Sequence, residues 1–388
     1  MNETLMRILK STILIQLIGL LITPLLYIKF DDSEFSTYGL FFSISAILSI
    51  FLSGRLENLF FSLKEYKKFY IFSFISCAVI SSILILILYF MGQVFYGICL
   101  FCGFSIAIFN LGYNFLVRES REKLYNKIKI SRALIELLAV LSLFLFNFSI
   151  DLFLLISSIS YFICGFYIFF NSKVEDYSLK NGYLIFLNNI KYIKYDFISS
   201  VMNSLYIYLP NLYFSALGDN SSSSKYFLIL RVFGVPSLMI AQSISVAIRQ
   251  HASKEFQDKK NIINTYNYFY NISGKVLIPF LIIFILTYVF FAFLDDLYIK
   301  GIFSYSLFLI FLFYIRSFYN CLSGVVYVFK WQLSNFFFQL CLLVVSFLSL
   351  RLSVFDVDSI HFYGLFSSLV YLGYVVIIYN QAKFKGYI

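Results

Sequence analysis

The sequence predicts an all-helical polytopic membrane protein, and three observations carry that prediction. Of 388 residues, 61% are hydrophobic and only 13% charged, where a soluble domain is roughly half apolar and a quarter charged. The mean hydropathy of +0.85 leaves too little polar surface to coat soluble domains of this total length. Third, uncharged apolar runs recur at spanning length. A crossing takes about 20 residues, so about twelve crossings leave about 150 residues for every connection and tail. This excludes a large extramembrane domain, and it excludes disordered, disulfide-rich secreted and fibrous classes.

The runs lie near 12–30, 37–54, 69–91, 95–117, 131–149 and 152–171, and then near 196–217, 226–247, 272–294, 301–324, 331–350 and 362–380. Most carry almost no charge, as a helix in hydrocarbon requires. They are continuous rather than alternating, which excludes a transmembrane β-barrel. The first run exceeds a signal-peptide core and no small-residue cleavage site follows it, so it reads as a retained helix.

Charge placement sets the expected orientation. With the N-terminus inside, the outer loops hold only Lys29, Lys225, Lys300 and Arg351 as basic residues, and most other Lys and Arg fall inside. The positive-inside bias therefore predicts that both termini are cytoplasmic. The net charge of +10 reflects that bias and contact with anionic headgroups of the lipid bilayer. It does not indicate nucleic-acid binding, which needs an exposed basic face with interleaved aromatics. Cys77, Cys99, Cys102, Cys164, Cys321 and Cys341 all fall in predicted helices and read as small hydrophobes. The C-x-x-C of Cys99 and Cys102 lacks a thioredoxin-like context.

Six runs precede the longest inner connection and six follow it. The expected organisation is an N-terminal six-helix lobe over 1–171, a cytoplasmic connector over 172–195 and a C-terminal six-helix lobe over 196–388. The connector alternates apolar and basic residues in its second part, a pattern suited to an interfacial helix. The halves echo each other. Pro24, an acidic turn and Tyr38 correspond to Pro210, a Ser-rich turn and Tyr226. Parallel repeats of this kind characterise transporters that hold substrate between two lobes.

Three stretches carry a family resemblance. Residues 20–61 contain Pro24, an acidic turn before Tyr38-Gly39, and an Arg-x-Glu closing the second helix at Arg55 and Glu57. Residues 209–256 contain Leu209-Pro210, Arg231, Pro236 and Ser243, and residues 326–337 place Gln332 in a short turn before the eleventh span. In these the chain resembles the bacterial oligosaccharide flippases, the O-antigen and capsule repeat-unit translocases of the MATE-like superfamily. The resemblance implies a MATE-like transporter fold with no cofactor. It also implies an undecaprenyl-pyrophosphate-linked oligosaccharide as substrate, moved from the inner to the outer leaflet by alternating access for surface polysaccharide such as O-antigen (lipopolysaccharide) or capsule. Proton or cation coupling, and polymerase and chain-length partners, come with it.

A pyrophosphate headgroup needs cationic partners, and Arg supplies a planar fork matched to phosphate oxygens. Arg316 is the deepest cation, far inside the tenth span, and an intramembrane charge is a candidate functional group by default. Substrate contact and a structural ion pair are both open to it. Arg231 lies nearer its helix end, where outward snorkelling is the plainer reading. Arg132 and Glu136 are four apart on one face, either neutralising each other or dividing pyrophosphate binding and ion coupling between them. Arg55, Arg118 and Arg249 close the inner ends of helices two, four and eight, as positive-inside anchors or as an inner entrance. Asn110 and Asn114 share a helical face and form a candidate polar stripe for sugar; interhelical hydrogen bonding is the competing use.

Enzyme signatures are missing from the sequence. His251 and His361 fall on opposite predicted sides, so no metal pair is expected, and no G-x-x-x-x-G-K-[ST] loop occurs. The rivals to a flippase are an ion-coupled MATE-type exporter of small molecules, favoured by an acidic or aromatic cavity, and a polysaccharide polymerase or ligase, expected to carry a large basic outer loop. A scaffold protein would need interaction domains.

Overall fold

A computed structural model of the chain describes residues 14–235 and 302–385 with short interruptions, the longest at 173–178 and 353–358, and isolated positions between 237 and 289. All regular elements among the described residues are helical. They are α1 (21–29), α2 (Asp32–Ser53), a 3₁₀ turn (Leu56–Phe61), α3 (Tyr66–Phe90), α4 (Val94–Arg118), α5 (Glu122–Phe146), α6 (Ile150–Phe170), α7 (Leu179–Ala216), α8 (Asn220–Ile229) running into a π turn (Leu230–Gly234), α9 (Ile302–Val328), α10 (Gln332–Leu350) and α11 (Ser359–Phe384). Six of these, α2, α3, α4, α6, α10 and α11, are long and apolar enough to cross a membrane. The outward face of α3 shows why: Ile83, Leu86 and Phe90 are exposed, which suits lipid and would be costly in water. The predicted spans near 226–247 and 272–294 fall mostly outside the described residues.

The chain divides into two compact units, Leu14–Ser224 and the residues from Lys225 onward. In the first, α4 is the central helix, packed on α2, α3 and α6. Small residues permit its approach. A Cβ on Gly103 would lie 3.0 Å from the Ser45 carbonyl oxygen, one on Gly112 would meet Ile168 at 2.9 Å, and one on Gly165 would meet Ile108 at 2.7 Å. Helices in lipid gain most from such close packing, because burying apolar surface there brings little. Aromatic stacking fills the remaining space, with Phe74 on Phe169 at 3.9 Å and Tyr70 on Phe115 at 4.3 Å.

Helix α2 starts at Asp32 rather than in the predicted span at 37, because the acidic turn is its N-terminus. The Asp31 carboxylate accepts from Glu34 N at 2.7 Å, and Asp32 and Glu34 occupy the first turn, where negative charge complements the helix dipole. The same device recurs in α8, where Asp219 accepts from Ser222 N at 3.0 Å. The echo between the two turns therefore has a structural counterpart in two aspartate caps. At its other end α2 stops at Gly54, whose φ of 57° closes the helix in the left-handed region. Arg55 shares that conformation, also at φ 57°.

The connector's second part and the seventh span form one helix. With 38 residues, α7 is about 57 Å long at the helical rise, well beyond the roughly 30 Å of hydrocarbon. Gly182 and Pro210 are the strongest helix breakers within it. Gly182 is needed for contact, since a Cβ there would meet the Phe72 Cβ of α3 at 2.4 Å. Pro210 removes one backbone donor in a segment bordered by buried polar groups. Asn211 donates to Ser43 Oγ at 2.9 Å and accepts from Ser223 Oγ at 2.6 Å, joining α7, α2 and α8.

In the second unit, α11 packs on both α9 and α10. Gly364 lets α11 approach Phe308, and Ser346 and Ser367 share a hydrogen bond at 3.0 Å across α10 and α11.

Candidate functional site

The first unit carries four polar side chains, three of them charged, on one face of α5. Tyr125, Lys129, Arg132 and Glu136 follow each other at helical spacing. Arg132 Nη1 lies 2.8 Å from Glu136 Oε2, and its guanidinium sits 4.3 Å from the Tyr161 ring centre on α6. Lys129 Nζ lies 5.4 Å from the Tyr125 ring, which packs at 4.4 Å on Tyr113 of α4. Arg132 and Glu136 are 12% and 11% exposed at their side chains, so each needs the other: a lone charge at that depth is expensive. The pairing allowed by their sequence spacing is thus present. The site adds a layer that the spacing does not specify, an aromatic face on Tyr161 that holds the guanidinium plane by cation–π attraction.

Asn114 donates to the Asn110 carbonyl oxygen at 2.9 Å, one turn back along α4. The two do share a face, and this bond is within one helix. Arg118 is exposed at the end of α4, 5.2 Å from the Tyr66 ring, whose hydroxyl donates to Glu119. Lys67 also reaches Glu119, at 3.6 Å. Arg55 Nη1 lies 3.3 Å from Glu57 Oε1 just beyond the end of α2. Arg249 lies outside the described residues.

In the second unit Arg316 is 2% exposed. It stands 14 residues along α9 from Ile302, about 21 Å in. Arg231 belongs to the π turn and lies 5.2 Å from the Phe227 ring. That turn packs on α9, with Phe233 and Phe313 ring centres 6.5 Å apart and a Cβ at Gly234 placed 3.1 Å from the Phe313 ring. The two arginines are therefore carried by packed elements. A π turn widens a helix locally and recurs at functional sites; no sequence signal marks it here.

One turn beyond Arg316 stands an aromatic cluster. Tyr319 packs on Phe338, Tyr371 and Tyr374 at 5.1, 5.2 and 5.7 Å, and its hydroxyl donates to Asn335 at 3.0 Å. Phe338 and Tyr374 stack at 4.0 Å and 5°. With 50 Phe and 32 Tyr in the chain, the sequence offers no means of singling out these four.

No family model matches the sequence, and comparison with curated proteins gives no significant match. Solved structures do match. The chain is similar to an outward-facing multidrug resistance MATE family transporter of the MOP superfamily, at TM-score 0.67 and 10% identity over 99% of this chain and 96% of that one. It is similar to the eukaryotic MATE transporter AtDTX14 at TM-score 0.64 and 12% identity, covering 97% and 93%. The Vibrio cholerae MATE transporter VcmN in its bent form matches at TM-score 0.60 and 12% identity, covering 98% and 94%. Identities this low bear on architecture alone, and they agree across bacterial and eukaryotic examples over nearly the whole chain: this is a multi-pass membrane protein with the fold of the MATE transporters.

Proposed function

We propose that the chain is a secondary transporter of the cytoplasmic membrane, moving an anionic amphiphile between leaflets by alternating access. The substrate class we favour is a lipid-pyrophosphate-linked oligosaccharide for surface polysaccharide. The observation that carries this is the buried cationic character of the helices. Arg316 is 2% exposed, and Arg132 stands among Tyr161, Glu136 and Lys129 in the other unit. Five N–H donors per guanidinium exceed what one carboxylate takes up, which suits a two-phosphate headgroup. The Tyr161 ring beside Arg132 and the Tyr319 cluster one turn from Arg316 provide flat apolar faces for sugar. No ATP-binding loop is present in the sequence, so net movement draws on a gradient or on consumption of the product.

The fold likeness favours a second reading, export of small molecules coupled to an ion. One matching structure is described as a multidrug resistance transporter, and Glu136 offers a titratable group inside the first unit. The two readings separate in proteoliposomes. A fluorescent polyprenyl-pyrophosphate saccharide should equilibrate between leaflets in vesicles holding the protein, and Arg316→Ala should stop it. Efflux of a cationic dye under a proton gradient, with no saccharide movement, would decide for the exporter.

A further inference from the structure

The 3₁₀ turn after α2 holds a carboxylate that the arginine pair does not fully satisfy. Glu57 is 2% exposed. Arg55 reaches only its Oε1, at 3.3 Å, and Oε2 meets no hydrogen-bond partner among the described residues. A second carboxylate, Asp196 of α7, is 9% exposed and accepts from Asn58 Nδ2 at 2.7 Å, the residue next to Glu57. The backbone is held to this arrangement by two consecutive residues at φ 57°, Gly54 and Arg55, an uncommon state for a side chain as large as Arg.

An ionised carboxylate buried with one oxygen unpartnered and a like charge beside it is costly, and a proton removes both penalties. Tyr70 of α3 packs at 5.9 Å on Phe60 of the same turn. On α4 the neighbouring cluster residues Phe104, Ala107, Ile108 and Leu111 are apolar. Among the described residues, the charged groups that act on Glu57 are Arg55 and Asp196.

We propose that Glu57, with Asn58 beside it in the 3₁₀ turn, Asp196 on α7 and Arg55 at the end of α2, forms a buried, exchangeable proton-binding site. Burial and Asp196 raise the Glu57 carboxyl above its ordinary range, and Arg55 opposes them without cancelling them. The site is separate from the α5 pair and ties the end of α2 to α7. If the chain transports, a gradient acting here biases the order of the α2 and α7 ends. Proton binding itself is independent of which substrate is carried.

The test is infrared titration of the full chain in nanodiscs, following the C=O band of protonated carboxyls without any substrate. Wild type should show a buried carboxyl that stays protonated above the ordinary carboxylate range and that Glu57→Gln removes. Asp196→Asn should lower its titration midpoint and Arg55→Gln should raise it. A monodisperse Glu57→Gln protein that keeps the band overturns the proposal. If Glu57→Gln does not fold, an Asp196→Asn midpoint equal to wild type overturns it as well. Displacement of the band when sodium replaces potassium at constant pH would reassign the site to a metal cation. Failure of saccharide transport leaves this result standing, and the converse also holds.

Discussion

At the residue scale the structure turns on how each buried charge is compensated. Arg132 and Glu136 hold each other at 2.8 Å, so removing one strands the other. Arg132→Met should destabilise the protein by about 3–5 kcal/mol, the range for breaking a buried pair, and adding Glu136→Leu should restore most of it; unfolding in mixed micelles reads both. Glu57 gives a pH signature with a definite sign. Its carboxyl is raised in the folded chain by burial first, against Arg55. The stability it contributes is therefore full below the ordinary carboxylate range and lost as pH rises through the raised value. Thermal melts against pH should show that loss, and Glu57→Gln should flatten it. The sequence made Arg132 and Glu136 legible because four-residue spacing fixes a shared face. It could not show Tyr161 above the guanidinium or Asp196 near Glu57, since both contacts come from helices distant in sequence.

At the element scale, legibility followed hydropathy. Hydropathy bounds the spans α3, α4, α6 and α10 to within about three residues, because apolar runs there end where the helices end. Helices whose ends are polar escaped that signal. In α2 the Asp31 cap extends the helix into the acidic turn, and in α5 the basic residues before 131 belong to the same helix. In α7 an amphipathic half continues without a break into the span. The close packing of α7 on α3 yields a direct prediction. Gly182→Ala puts a methyl 2.4 Å from Phe72 Cβ, and overpacking of this kind costs about 1–3 kcal/mol. A matched Phe72→Leu change should relieve part of it, read as recovery of melting temperature.

At the scale of the whole molecule, a MATE fold specifies a membrane-spanning architecture and leaves the cargo to the side chains. The proposed transport role centres on Arg316, a cation 2% exposed in α9 near a π turn bearing Arg231 and one turn from the Tyr319 cluster. Lys at position 316 keeps the charge and loses the planar fork, so Arg316→Lys should retain part of the transport that Arg316→Ala abolishes. The most direct measurement is made in cells lacking the protein: extract lipid-linked saccharides and determine which face of the cytoplasmic membrane they occupy. Completed units should accumulate on the cytoplasmic face and be released by the wild-type gene but not by Arg316→Ala. Lipid-linked saccharides distributed as in the parent strain would contradict that role and leave small-molecule export as the reading that stands.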